Sequence, residues 1–295
     1  KRQDYARSKP TPTVGPRGLE LEGHDGLRIS LHSNVPSSYL ASGRSFRLDR
    51  PRYFVLDCGA TEHYLHMDEV ARDLDLTIAA WRKWTQACSL PGFADEAVLR
   101  SALCLKLHQY AETGAIIASS TTSIPEVVGE PRNWDYRYCW LRDAVFTVEA
   151  LRRLGHFQEG RNFLQFVLDV TDAGPLQPLY GLGGERDLLE SSLDHLAGFR
   201  GTKPVRIGNA AAEQLQTDLM GEVVLCLRTM LTDAREAGII KTDIDIENLV
   251  FIVHGALFTR VLAPAESERI TGKSMQDQSV IDEHAQTIVR LLLAQ

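Results

Sequence analysis

Residues 132–143, Arg-Asn-Trp-Asp-Tyr-Arg-Tyr-Cys-Trp-Leu-Arg-Asp, place three arginines, two aspartates and four aromatic rings in twelve positions. Guanidinium and carboxylate groups held beside aromatic planes suit a neutral, hydroxyl-rich ligand. The charged groups direct hydrogen bonds to pairs of hydroxyls, and the ring faces cover the apolar C–H surface of a sugar ring. The same residues also fit a helix start with a buried Arg–Asp pair and ordinary aromatic packing. Taken alone, the stretch leaves both readings open.

Several other blocks accompany it. Upstream lies Thr113-Gly114-Ala115-Ile116-Ile117-Ala118-Ser119-Ser120-Thr121-Thr122-Ser123-Ile124-Pro125-Glu126; downstream come Leu176-Gln177-Pro178-Leu179-Tyr180-Gly181, Val205-Arg206-Ile207-Gly208-Asn209-Ala210-Ala211 and Gln214-Leu215-Gln216. In this order and at these spacings the blocks, over roughly residues 15–227, resemble family-15 glycoside hydrolases, the glucoamylase, glucodextranase and bacterial trehalase-like enzymes. The resemblance implies inverting exo-hydrolysis of α-linked glucosides at the non-reducing end, without a cofactor or metal. It also implies that Arg142 and Asp143 bind hydroxyls of the terminal glucosyl unit while Trp140 lines its ring. Trp134 and Tyr180 complete the substrate-binding candidates, and the expected ligand is an α-glucoside or oligosaccharide.

The elements that must position these residues change character along the chain. Leu19 and Leu21 alternate with Glu20 and Glu22, His24-Asp25-Gly26 supplies a turn, and Leu27, Ile29 and Leu31 alternate with Arg28 and Ser30, which predicts a β-hairpin. A further strand is expected at Tyr53–Leu56, ending at Cys58-Gly59. From about Leu76 the spacing turns helical, with Trp81, Trp84 and Ala87 on one face. Asp95 is a candidate cap for a helix carrying Val98, Leu99, Ala102, Leu103 and Leu105. The loop Ala118–Val128 leads to the Arg/Asp/aromatic block and a helix through Phe146, Val148, Leu151 and Leu154 that stops near Gly155. Another helix is expected over Glu159–Val170, then long loops, then a helix over Asn209–Leu227 whose Glu213, Gln216 and Asp218 read as a solvated face.

After about Leu227 the resemblance is lost. About 200 residues follow Asp95, enough for seven or eight helices at ~11–12 residues each, where the family's barrel has twelve. Inverting hydrolysis needs a carboxylic acid for the leaving oxygen and a second carboxylate, roughly 6.5–9.5 Å away, to activate water. Both family glutamate segments are unrecognisable here. Glu266, Glu268 and Glu283 stand in other contexts, so no catalytic residue is assigned. Residues 228–295 are instead similar to the C-terminal ligand-binding and dimerisation helices of TetR-type repressors. Asp245 is a candidate helix cap there, Leu249, Val250, Val253, Ala256, Leu257 and Val261 form an apolar face, and a last helix is expected from Ser279 to Leu292. His254 reads as a core histidine. The expected fold is therefore α+β: a partial β-sandwich over residues 1–75, an incomplete (α/α)6-barrel-like helical domain over 76–227 and a helical tail over 228–295.

The formal charge of −7 argues against a nucleic-acid partner, which requires a basic face. Cys58, Cys88, Cys104, Cys139 and Cys226 are odd in number and contain no C-x-x-C pair, so a disulfide framework or zinc site is not indicated. The longest apolar run, Leu249–Phe258, falls short of the ~20 residues of a membrane span. A cytoplasmic location is the expectation, although the chain begins at Lys1 rather than methionine. Three functional readings remain. One is a family-15-like hydrolase of α-glucosides disabled by truncation. The second is a catalytically silent carbohydrate-binding or dimerisation module, and the third a ligand-sensing homodimer joined through the C-terminal helices.

Overall fold

The computed structural model describes residues 4–7, 11–15, 18–22, 28–58, 66–174, 176–216, 218–236, 238, 245–247, 250 and 269. The chain divides into two compact units, Lys1–Gln86 and Ala87–Gln295.

The first unit is built on an antiparallel sheet in the order β1 (Thr13–Gly15), β2 (Gly18–Glu22), β3 (Arg28–Ser33), β4 (Phe54–Cys58). The alternation of Leu19 and Leu21 with glutamates sets its register: Leu19 faces Leu31, and Leu21 faces Ile29. Leu31 in turn faces Leu56, so one row of leucines crosses three strands. The hairpin and the strand ending at Cys58 thus form as the sequence predicts. Helix α1 (Ser37–Ser42) follows β3, and Gly43 ends it in the left-handed conformation. Helix α2 (Met67–Gln86) begins about ten residues before the expected Leu76, because Asp68 and Glu69 supply a favourable acidic first turn upstream of the aromatic face.

The second unit is mainly helical: α3 (Asp95–Leu107), α4 (Leu141–Arg153), α5 (Phe157–Asp172) and α6 (Asp218–Glu236). Two short antiparallel ribbons join the loops, β5 (Cys139–Trp140) with β6 (Leu179–Tyr180), and β7 (Ser191–Ser192) with β8 (Arg206–Ile207). In α4 the apolar residues fall at Leu141, Ala144, Val145, Val148 and Leu151, a helical stripe, and all five are buried. That stripe meets Phe163, Phe166, Val167 and Val170 of α5 and Leu219, Val223 and Cys226 of α6 in one core cluster. Within it Phe166 meets Tyr180 edge-on at 6.2 Å. Burial pushes the thiols of Cys139 and Cys226 up to about 12, so both are inert packing groups.

Helix ends follow local chemistry with two departures from expectation. Gly155, at φ 91°, ends α4 where the sequence places the stop. Asp95, by contrast, is the first residue of α3 rather than its cap, and Ala94 before it adopts φ 52°. The single helix expected over Asn209–Leu227 is also two elements. Asn209 accepts a hydrogen bond from the Ala211 N–H and caps a short 3-10 turn, Ala210–Glu213; Gln214 is extended, and α6 starts at Asp218. An asparagine cap favours a new turn over continuation of a helix. Helix α6 runs on through residue 227 to Glu236. Beyond it the Asp245 carboxylate accepts from the Glu247 N–H at 3.0 Å, as a cap does. Ile246 and Val250 pack against Val224, Leu231 and Ala234 of α6. Most of the repressor-like tail, with His254 and the last expected helix, lies outside the described residues. Among the described residues no helix is long and apolar enough to cross a membrane.

At the C-terminal end of α4, buried His156 meets the Cys88 thiol at 3.0 Å, and Lys106 pairs with the buried Glu159 at 3.0 Å. Desolvation lowers the His156 pKa; the neighbouring Glu159 opposes this and Lys106 adds to it. The folded state therefore holds a neutral imidazole, whereas the unfolded chain takes up its proton as pH falls through about 6.5. His156 thus favours folding above that pH, and its contribution is lost as pH drops toward the depressed folded value. Melting curves are expected to show a stability loss as pH falls below about 6.5 that His156→Gln flattens.

Candidate functional site

The first turn of α4 carries Arg142 and Asp143, and its backbone is tied down before the helix begins. Cys139 and Trp140 pair with Tyr180 and Leu179 across the β5–β6 ribbon, and the Leu141 N–H donates to the Pro178 carbonyl at 3.1 Å. Asp143 in this turn is favourably placed toward the positive helix end. Arg142 is placed against that dipole, and its charge is met from outside: Nη1 donates to Asp218, the first residue of α6, at 2.7 Å. This hydrogen bond holds the Arg142 guanidinium above and the Asp218 carboxyl below their ordinary pKa values. Arg142 Nε lies 3.9 Å from Asp143 Oδ2, a contact too long to engage that carboxylate in a hydrogen bond.

These two residues open onto a cleft of about 540 Å³, whose lining includes Trp134, Tyr136, Trp140, Glu190, Arg206 and Gln216. The size falls within the ~300–1,000 Å³ of pockets that enclose small organic ligands. Tyr136 and Trp140 form a tilted aromatic pair with centroids 5.7 Å apart. Partial burial raises the Tyr136 phenol above its usual pKa, so it is a neutral donor at physiological pH. Opposite in sequence but on the same cleft, Arg206 lies 4.3 Å from the centroid of the Trp134 ring and pairs with Glu190 at 3.2 Å.

A buried polar frame holds the aromatic segment in place. Asp135 is fully buried, and both its oxygens accept from Arg137, at 2.9 and 2.8 Å. The Asp135 carbonyl accepts from the Asn209 side chain at 3.1 Å, and the Tyr138 hydroxyl accepts from the Gly208 N–H at 3.0 Å. Ser123, itself left-handed at φ 54°, accepts from the Arg206 N–H at 2.8 Å. Segments 133–138 and 205–211, distant in sequence, are thus locked together across the cleft.

Of the candidates named from sequence, Trp134, Trp140, Arg142 and Asp143 come together on this cleft. Tyr180 does not line it. Its ring is fully buried against Phe166, its hydroxyl accepts from the Gln177 N–H at 2.7 Å, and Arg186 lies over its ring. Glu213 is exposed on the 3-10 turn and away from the lining. Gln216, read as part of a solvated face, instead lines the cleft, and Asp218, exposed as that reading expects, also pairs with Arg142. Glu190 carries no sequence signal of its own. Arg206 and Asn209 stand within the quoted Val205–Ala211 block, where the Arg and Asn side chains were the available signal.

The glycosyl hydrolases family 15 profile matches residues 92–257, more than half of the chain. The chain belongs to that family. The family-15 match holds every residue of the cleft, begins after the sheet of the first unit, and continues some 30 residues past Leu227, where the family pattern was expected to be lost. Similar proteins include trehalases of Mycobacterium tuberculosis, 45% identical over 163 residues, and of Thermoplasma volcanium, 39% identical over 170 residues. A Sulfolobus acidocaldarius protein named trehalase 2 is 43% identical over 143 residues. These alignments cover 53%, 57% and 48% of this chain but only 24%, 27% and 25% of the relatives, so the chain spans about a quarter of their length. No solved structure matches significantly.

Removing Arg137 would leave the Asp135 carboxylate buried without its ionic partner, and unpaired buried charge is costly. Arg137→Ala is expected to destabilise the helical unit by about 3 kcal/mol in urea denaturation, the low end for a broken buried pair because Arg137 is itself one-third exposed.

Proposed function

We propose that the cleft binds the non-reducing glucosyl unit of an α-glucoside, and that the chain is part of a trehalase-like glycoside hydrolase. The observation that carries this reading is the meeting of Arg142, Asp143, Trp134 and Trp140 on one cleft at the start of α4. The Asp143 oxygens make no hydrogen bond among the described residues, so they are available to ligand hydroxyls. The lining also carries two guanidinium groups, Arg142 and Arg206, against two carboxylates, Asp143 and Glu190, a balance that suits a neutral sugar better than an anionic one. The names of the similar proteins support trehalose as the leading α-glucoside.

In the same reading, helices α3 to α6 belong to an (α/α)6-barrel arrangement and the sheet of residues 1–75 to an accompanying β-sandwich. Arg142 and Asp143 orient the ring, and the Tyr136–Trp140 pair covers its apolar surface. The acid and base of an inverting hydrolysis are left unassigned. The cleft carboxylates on this chain are engaged with arginine or placed for hydroxyl binding, and the remaining three-quarters of the relatives' length has no counterpart in the alignments.

Two measurements test the reading. Loss of a charge-assisted hydrogen bond to the glucosyl unit is worth about 1.5–3 kcal/mol, so Asp143→Asn is expected to weaken binding of methyl α-glucoside by that amount in calorimetric titration. Unchanged affinity would remove Asp143 from the site. The 295-residue chain alone is expected to release no glucose from maltose, starch or trehalose, because no carboxylate on it is assigned as acid or base and each such group contributes about 10²–10⁴ in rate. Turnover abolished by Asp143→Ala would show that carboxylates of this chain perform the chemistry.

A further inference from the structure

We infer that helix α2 pairs antiparallel with α2 of a second copy of this chain, through a seam of Met67, Val70, Leu74, Thr77, Trp81 and Trp84. The inference is independent of the glucoside reading and concerns the first compact unit.

The seam follows from spacing. These residues succeed one another at alternating steps of three and four along the 20 residues of α2, the repeat by which two helices interlock. At 1.5 Å per residue the helix is about 30 Å long, and the stripe runs from its first turn to its last. The described residues do not cover it. No residue of α2 is buried, and Leu74, near the middle of the stripe, is 59% exposed. The one polar member is prepared for burial: Thr77 Oγ1 donates to the Asp73 carbonyl at 2.8 Å, so enclosing it leaves no unpaired hydroxyl donor. Trp81 and Trp84 meet edge-on, with centroids 6.2 Å apart, at the C-terminal end.

Charge identifies the occupant. Asp68, Glu69, Asp73 and Asp75 lie in the first half of α2 with Arg72, whereas Arg82 and Lys83 are the charged residues of the second half. A parallel copy would set like ends side by side. An antiparallel copy sets the acidic end beside the basic end, and the two-fold axis repeats that match at both ends. One register serves packing and charge together. With Leu74 opposite Thr77 of the second copy, Val70 meets its Trp81 and Met67 meets its Trp84, so each indole faces a slimmer aliphatic side chain. Asp68 then stands level with Lys83 of the second copy, and Glu69 with its Arg82. Beside the seam, Ala71 comes next to Ile78 and Asp73 next to Ala80, so no like charges meet there.

Sedimentation equilibrium and light scattering of the 295-residue chain over a wide concentration range test the pairing. A reversible monomer–dimer equilibrium is expected for the unaltered protein. Leu74→Lys buries a charge in the seam and should weaken dimerisation about tenfold or more. Leu76→Lys makes the same change at a leucine 61% exposed on the opposite side of the helix, and should leave dimerisation unchanged. Asp68→Lys and Lys83→Asp should each weaken it about fivefold, and mixing the two variants should restore association because opposite charges then meet at both ends. Far-ultraviolet circular dichroism and melting check that each variant folds. Should Leu74→Lys disturb the helix, the mixing of the two charge variants decides alone. A monomer at every concentration overturns the inference and means that the stripe is covered within its own chain. A dimer indifferent to Leu74→Lys overturns it in favour of another surface, such as residues 245–295. A dimer weakened by Leu74→Lys but untouched by Asp68→Lys overturns the antiparallel pairing.

Discussion

The apolar stripe of α4, packed between α5 and α6, sets where the first turn of that helix lies, and the cleft is built on that turn. Leu141, the first residue of the helix, is fully buried in the stripe, and the next two residues are Arg142 and Asp143. Burial of one face thus aims the charged pair: a helical residue about 100° away from a core position faces the edge of the core rather than its centre. The ribbon between Trp140 and Leu179 removes the remaining freedom by pairing the backbone just before the helix.

Electrostatics then decide the chemistry of that edge. Arg142 is unfavourable near a helix N-terminus, and its bond to Asp218 ties the starts of α4 and α6 together. Asp143 is favourable there, and its oxygens make no hydrogen bond among the described residues. On the other wall, the fully buried Asp135, satisfied by Arg137, holds the aromatic segment rigid while Arg206 is clamped by Ser123 and Thr122. Rigid positioning of polar groups is what allows a few hydrogen bonds to discriminate among ligands.

Local pattern is legible where residues close in sequence meet the same surroundings. The leucine–glutamate alternation, the α4 stripe and the stop at Gly155 all follow from side-chain spacing and backbone preference within one element. The boundaries that were misread share a cause: each depends on a competition between local signals. Asp95 offers both a cap and a first-turn carboxylate, and Asn209 offers both helix continuation and a cap. At Asn209 the cap prevails because its amide also reaches the Asp135 carbonyl, 74 residues away.

By itself, the sequence determined that residues 132–143 bring arginines, aspartates and indoles together near a helix start, and which family the blocks resemble. Those conclusions need only residue type and order. The tertiary structure alone decided which of these side chains share a cleft. Tyr180 is drawn into the core because its ring packs on Phe166 and its hydroxyl is satisfied by the Gln177 N–H, whereas Arg206 is brought over Trp134 from a segment distant in sequence and Glu190 joins the same cleft through its pair with Arg206. Such contacts depend on how separate segments pack against one another, and no periodicity within a single segment encodes them.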